Sequence, residues 1–469
     1  MEETKRYLQS FLFQNKIDIP KGKQSLFEDF ISSENNIAAV KIIKEKQQII
    51  MQNWNLINRI DDITNQSVFL PNGTVNKAYQ AKIDFMQLGW DDIISYEMEN
   101  LEETGLSFDR EEKVLSGNPK ISGDLKIKML FKIDGESEET PLNEKVFTII
   151  INPDPKSLWK SIESDKNDPF AKEDNVAVAS TFLDKKIVVA SKRGRSHANV
   201  GSFREDDFAF KNFDTNGWSV LAVSDGAGSA ALSRKGSKLA CDTLIDYFEE
   251  NLDKENLKEF DEILLHHYHK TDADSSKKIS HFGYNTLSKA AHFVNQKIEE
   301  FAAANNEELK KFHATLIFAL VKKYDFGYAI LTFGVGDCPI GLLNKDLTEI
   351  TLMNVIDVGE FGGGTRFITM PEIFQSDKLS SRFGFKLVND FSYLMLMTDG
   401  IYDPKFVVEA NLEKIEKWNE FLSDLNGKNE DGSKVDFEDE NADIATQLST
   451  WMDFWSPGNH DDRTLAIIY

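Results

Sequence analysis

Apolar residues in the first 66 positions recur at helical spacing. Leu8, Phe11 and Leu12, then Ile37, Val40, Ile43, Ile50 and Trp54, fall on three- and four-residue steps or their sums. Pro20 and Gly22 interrupt the run. The pattern therefore predicts a helical N-terminal segment over residues 1–66, broken near position 20. Between 67 and 152 the period changes. Turn signals such as Pro71-Asn72-Gly73 and Gly117-Asn118-Pro119 separate short runs, and Leu125-Lys126-Ile127-Lys128-Met129-Leu130-Phe131 largely alternates with period two. Val146-Phe147-Thr148-Ile149-Ile150-Ile151 is a second strand candidate. Short strands with frequent turns predict a β-sandwich. Residues 153–184, proline-punctuated and charged, predict a linker.

From 185 to 469 strand and helix signals alternate. Ile187-Val188-Val189-Ala190, Trp218-Ser219-Val220-Leu221-Ala222-Val223 and residues 314–321, 326–333, 393–397 and 464–469 read as strands, and residues 233–252 and 286–305 as helices. Residues 406–455 open with a helical stretch carrying Leu412, Ile415, Trp418, Phe421 and Leu422, then turn acidic. They read either as a surface excursion or as an element that selects partners.

Composition narrows the classes. The 469-residue chain has 78 Asp+Glu against 54 Lys+Arg, a formal net charge of -24. A field of that sign repels phosphate chains, which argues against a nucleic-acid backbone or an anionic membrane as partner. With 41% hydrophobic residues a wholly disordered chain is excluded. Cys241 and Cys338, the two cysteines, supply neither a disulfide framework nor a cysteine-based zinc site. The first residues lack the apolar run of a signal peptide, and no stretch reaches the roughly 18 apolar residues of a membrane span. The expected location is the cytoplasm.

Candidate chemistry lies where apolar strands run into acidic residues. Val223-Ser224-Asp225-Gly226, Val335-Gly336-Asp337 and Met397-Thr398-Asp399-Gly400 share this form. Arg204-Glu205-Asp206-Asp207 precedes an apolar run, and Gly458-Asn459-His460-Asp461-Asp462 leads into the last one. Taken singly, an Asp-Gly pair is a turn and Glu205-Asp206-Asp207 a solvated charge run. Carboxylates gathered at strand ends, however, repel one another unless a cation sits between them. An all-oxygen donor set selects hard ions such as Mg²⁺ or Mn²⁺.

Taken in order, Ala190-Ser191-Lys192-Arg193-Gly194-Arg195-Ser196-His197, Glu205-Asp206-Asp207-Phe208, Val223-Ser224-Asp225-Gly226-Ala227-Gly228-Ser229-Ala230, Thr315-Leu316 with Gly334-Val335-Gly336-Asp337, Thr398-Asp399-Gly400 and Asp461-Asp462-Arg463-Thr464 form a set. It resembles the type 2C metal-dependent serine/threonine protein phosphatases, in their bacterial branch, over residues 185–469. The resemblance implies two central antiparallel sheets flanked by helices. It implies a signalling hydrolase acting on phosphoserine and phosphothreonine in a protein substrate, through water activated by two Mn²⁺ or Mg²⁺ ions, with room for a third. Asp206, Asp225, Asp399 and Asp461, with the Gly226 carbonyl, would hold the pair. Asp337 would help hold the third ion, and Glu205 would accept from metal-bound water. Arg195 or His197 would grip phosphate, although His197 also reads as a structural histidine. Ala227 stands where some members carry a histidine acting as general acid. Residues 359–365, rich in glycine, would form a flap.

The middle region, with Leu70-Pro71-Asn72-Gly73-Thr74-Val75 and Gly105-Leu106-Ser107-Phe108-Asp109, resembles bacterial immunoglobulin-like modules. That implies a binding or spacing unit and a protein partner for the N-terminal modules. The alternative to a working enzyme is a weak or inactive phosphatase-like domain that binds phosphoproteins.

Overall fold

A computed structural model describes residues 2–252, 254–357, 364–375 and 379–469. The chain divides into two compact units, Met1–Leu158 and Trp159–Tyr469. No helix of the described residues is long and apolar enough to cross a membrane.

The first unit begins with helices Glu2–Gln14, Gln24–Ser32 and Glu34–Asn65. The break falls where Pro20 and Gly22 predict it, as a 3-10 turn over Lys21–Lys23. Leu8, Phe27, Ile31 and Val40 close a small core between the three helices. Two sheets follow. Gly73–Thr74, Asn143–Asn152, Gly123–Ile133 and Ile93–Glu99 are neighbours in one, and Tyr79–Lys82, Val114–Gly117 and Leu106–Asp109 in the other. Alternation turns Ile127, Ile149 and Ile151 inward, where they meet Tyr79, Ala81, Leu106 and Leu115 of the smaller sheet. Ile63, from the end of the long helix, joins Phe85, Trp90, Met129 and Phe131 in a neighbouring core.

The second unit stacks two antiparallel sheets. The first runs Asp207–Phe213, Trp218–Ser224, Leu316–Tyr324, Gly327–Val335, Phe383–Val388. The second runs Ile350–Leu352, Ile340–Asn344, Phe391–Met397, Arg463–Ile468, Lys185–Lys192, Asn175–Phe182. Leu221, Val223, Ile317 and Ala319 of the first meet Val189, Leu394, Leu396 and Ala466 of the second. These strands are apolar at successive positions because both faces are buried. Helices Ser233–Asn251, Lys254–Tyr268 and Ser275–Ala304 cover the outer face of the first sheet through Leu244, Phe248, Phe260, Leu287 and Val294.

Three elements differ from the sequence reading. Asn175–Phe182, inside the expected linker, is an edge strand paired with Lys185–Lys192 along its whole length. The prolines and charges before it masked its short apolar run. The helix expected from 286 starts at Ser275, and Lys254–Tyr268 is a further helix. Residues 406–455 are not a surface excursion. Helices Ile415–Leu425 and Ile444–Trp451 bring Trp418, Phe421 and Trp451 against Met395, Met397, Leu465 and Ile467, and so cover the second sheet.

Candidate metal centre

Antiparallel pairing brings distant acidic residues to one end of both sheets. Asp207 pairs with Ser224, so Asp206, just before one strand, lies beside Asp225, just after the next. Leu316 pairs with Val335, which sets Thr315 and Asp337 at the same end. In the second sheet Met397 pairs with Leu465 and Arg463 with Lys192. Asp399, Asp461 and the helix Arg195–Val200 therefore emerge together.

Hydrogen bonds hold Asp206, Asp225 and Asp337 in place. Asp206 is buried, and its Oδ2 accepts from the hydroxyls of Thr398 (2.8 Å) and Thr464 (2.7 Å). Asp225 is tied at its backbone. Its N–H donates to Thr315 Oγ1 (2.9 Å), and its carbonyl accepts from the Thr315 N–H (2.8 Å). Asp337 Oδ2 accepts from Thr365 Oγ1 (2.6 Å). The turn before Asp337 needs Gly336, whose φ of 109° lies in the left-handed region and whose added Cβ would strike Thr315. A Cβ on Gly226 would lie 2.6 Å from the Glu205 carbonyl oxygen, so only glycine leaves the backbone where it is.

Charge shows what the site lacks. Burial pushes the Asp225 carboxyl well above its usual range, and Asp399, Asp206, Asp461 and Asp337 push it further. Asp399 is raised by burial and then by Asp461, Asp337 and Asp206. Asp206, Asp337 and Asp461 are raised too, burial being the first cause in each. Buried carboxyls raised in this way, Asp337 by burial and Asp357, and the others by burial and acids within the group or Asp462, are a donor set short of positive charge. Divalent cations fit it, and oxygen ligands favour hard ones. Ligand atoms of Asp225, Asp337 and Cys338 lie within 4.8 Å of one another, as do those of His197, Asp461 and Asp462. Cys338 is buried, and burial raises its thiol well above the usual value, so it stays protonated and is a poor ligand.

Asp462 is the residue whose role the sequence did not reveal. Its Oδ1 accepts from the Gly194 N–H (2.5 Å) and from His197 Nδ1 (3.0 Å), and its Oδ2 from the Glu205 N–H. Burial alone would raise its carboxyl, but these partners hold it below the usual range. Burial opposes the charge on His197, yet Asp462 and Glu205 lift it to about 9. Glu205 is pushed up to about 7, first by burial, and its Oε2 has no hydrogen-bond partner among the described residues. Arg195 turns elsewhere. Its guanidinium donates to the carbonyls of Phe454 (3.1 Å) and Asp453 (2.6 Å) and lies over Trp455. Asp403, in the helix that begins with Asp399, is a further acid, raised first by burial and then by Asp337 and Asp461. The glycine-rich run lies outside the described residues except for Gly364 and Thr365.

Two stacked antiparallel sheets between helical layers, with acidic groups at one end, define the second unit as an α-β-β-α sandwich. The chain belongs to the protein phosphatase 2C family, whose sequence profile matches residues 193–452, just over half of its length. The matched stretch holds Asp206, Asp225, Asp337 and Asp399 and stops short of Asp461. No curated protein matches the sequence. Among solved structures, the chain is similar to a bacterial serine phosphatase at 16% identity, covering 61% of this chain and 97% of that one, with a TM-score of 0.36. It is similar to the serine/threonine phosphatase Stp1 from Staphylococcus aureus at 17% identity, with 62% and 95% covered and a TM-score of 0.34. The catalytic domain of the phosphatase PstP, in complex with two manganese ions, matches at 14% identity, with 63% and 98% covered and a TM-score of 0.36.

Proposed function

We propose that the protein hydrolyses phosphoserine and phosphothreonine in phosphoproteins, with Mn²⁺ or Mg²⁺ as cofactor. The observation that carries this reading is the convergence of Asp206, Asp225, Asp337, Asp399 and Asp461 at one end of the sandwich, where burial and acidic neighbours raise Asp225 and Asp399. Asp206, Asp225, Asp399 and Asp461, with the Gly226 carbonyl, would hold two ions, and Asp337 would serve a third. Bound there, divalent cations offset charge on the phosphoryl oxygens and acidify the attacking water. The chain's own groups do the rest. Thr398 and Thr464 aim Asp206, and Asp462 anchors His197 and the Glu205 backbone. Glu205 has a free carboxylate oxygen to accept a proton. His197, cationic and beside Glu205, is a better candidate than Arg195 for gripping phosphate, because Arg195 spends donors on two carbonyls.

Replacing Asp225 with Asn is expected to abolish manganese-dependent hydrolysis of a phosphopeptide while thermal unfolding stays cooperative. A wild-type rate in that variant would refute the assignment. Ala227 leaves room for the second reading, a phosphoprotein-binding domain without turnover. Hydrolysis of a chromogenic phosphate ester with Mn²⁺ separates the two.

For the remainder of the chain we propose a helical segment over 1–66, an immunoglobulin-like module over 67–152 that offers a protein partner its surface, a connector shorter than the expected 153–184, ending before the strand Asn175–Phe182, and the phosphatase domain from that strand through the expected 185–469. Two facing sheets support the middle assignment. A signalling role in the cytoplasm fits two buried, unpaired cysteines.

A further inference from the structure

The turn that carries Asp337 has little stiffness of its own. Gly336, at a φ of 109°, is the residue type with the widest choice of backbone conformations. A ligand that follows such a residue needs bracing from outside, and three residues ahead of the strand Phe383–Val388 supply it. Phe383 pairs with Phe333, so Arg382 comes level with Gly334 and donates to its carbonyl (3.2 Å). Asp357 meets Gly336 twice. Its N–H donates to the Gly336 carbonyl (2.8 Å), and its Oδ2 accepts from the Gly336 N–H (3.0 Å). Thr365 gives its hydroxyl to Asp337 Oδ2 (2.6 Å).

The Asp357 carboxylate is costly to bury alone. Arg382 grips it with both terminal nitrogens, one of them 2.9 Å from Oδ1, and the two side chains are 13 and 7% exposed. A guanidinium fork supplies direction as well as charge. Oδ2 is shared between Arg382 and the Gly336 N–H, so the ion pair fixes the turn along with its own two side chains.

We propose that Asp357 and Thr365 are positioning residues for the third ion. Asp357, charge-balanced by Arg382, locks the Gly336 turn, and Thr365 aims the Asp337 carboxylate. The inference rests on Asp337 serving a third ion, as proposed above, and both residues act through it.

Calorimetric titration of the full chain with Mn²⁺, beside thermal unfolding, tests this. The wild type is expected to take up a pair of ions and then a third more weakly. Thr365→Val, at a half-buried position, and Asp357→Ala should each weaken the third step about 10–100-fold and leave the pair unchanged. Asp357→Asn separates positioning from stability. It keeps an oxygen for the Gly336 N–H but removes the charge opposite Arg382. The third step should return towards the wild-type affinity while the melting temperature stays lowered. An unchanged third step in both Thr365→Val and Asp357→Ala overturns the proposal. So does an equal loss at every step, the mark of general loosening, and so does a wild type with no third step. If Asp357→Ala does not melt cooperatively, Thr365→Val decides. The enzymatic reading is judged separately by manganese-dependent hydrolysis. A wild type that takes up three ions without turnover would sink that reading and leave the positioning roles to the titration.

Discussion

Asp206 has two threonine hydroxyls on one carboxylate oxygen, Thr398 just after one strand of the other sheet and Thr464 near the start of the next. These donors fix its orientation without a net charge. Thr398→Val and Thr464→Val should each weaken Mn²⁺ binding by about 10–100-fold, as loss of an orienting partner typically does. Calorimetric titration of the folded variants checks this, and unchanged affinity in both would remove the threonines from the account. The same carboxylates make stability depend on pH when no metal is bound. Glu205 is raised to about 7 by burial first, and Asp225 and Asp399 are raised as well. The folded chain then holds these protons more tightly than the unfolded one, so stability falls as pH rises from the ordinary carboxylate range through about 7. His197, lifted to about 9, adds a loss as pH rises through that value, whereas Asp462 loses stabilisation only under stronger acid. A chelator-treated sample should melt at a lower temperature near pH 8.5 than near pH 6, and Mn²⁺ should shrink the gap. A flat or rising profile would contradict the electrostatic picture. At this scale, Asp206, Asp225 and Asp399 could be read from motifs because each sits against a strand end. Asp462 could not. Its partners reach it from as far as 268 positions away, and two of the three are backbone N–H groups that carry no side-chain signature.

Among the elements, buried strands announced themselves by continuous apolar runs, as in Trp218–Ser224, where every residue is buried. Edge elements did not. Asn175–Phe182 has intermediate or exposed positions along most of its length, so its sequence resembles a connector. The two helices over the second sheet were misjudged for a different reason. An amphipathic helix reports that it has a buried face, but not what it is buried against. Trp418 in that layer is fully buried, donates its indole N–H to the Leu412 carbonyl (2.8 Å) and fills the space over Gly341. Trp418→Ala should cost about 3–5 kcal/mol in denaturant unfolding, the range for emptying a large aromatic site. A cost under about 1 kcal/mol, the scale of a surface change, would mean the helix is peripheral after all.

Across the whole molecule, the two units have separate cores: Ile63 and Trp90 belong to one, Trp218 and Trp418 to others. Residues 159–469 expressed alone should therefore unfold cooperatively and bind Mn²⁺ as the full chain does. A fragment that aggregates or lacks near-ultraviolet circular dichroism would show that the units depend on each other. The change of hydrophobic period near residue 67 signalled the shift from helix to sheet. The boundary between units left a weaker trace, because prolines and charges occur both in loops and beside edge strands.

Arg463–Ile468 lies between Phe391–Met397 and Lys185–Lys192, at the middle of its sheet and not at an edge. Every segment it joins precedes it in the chain. During synthesis, then, the sheet stays split, with two raw margins, until this strand clears the ribosome. A nonsense codon just ahead of it would leave both of those margins unpaired.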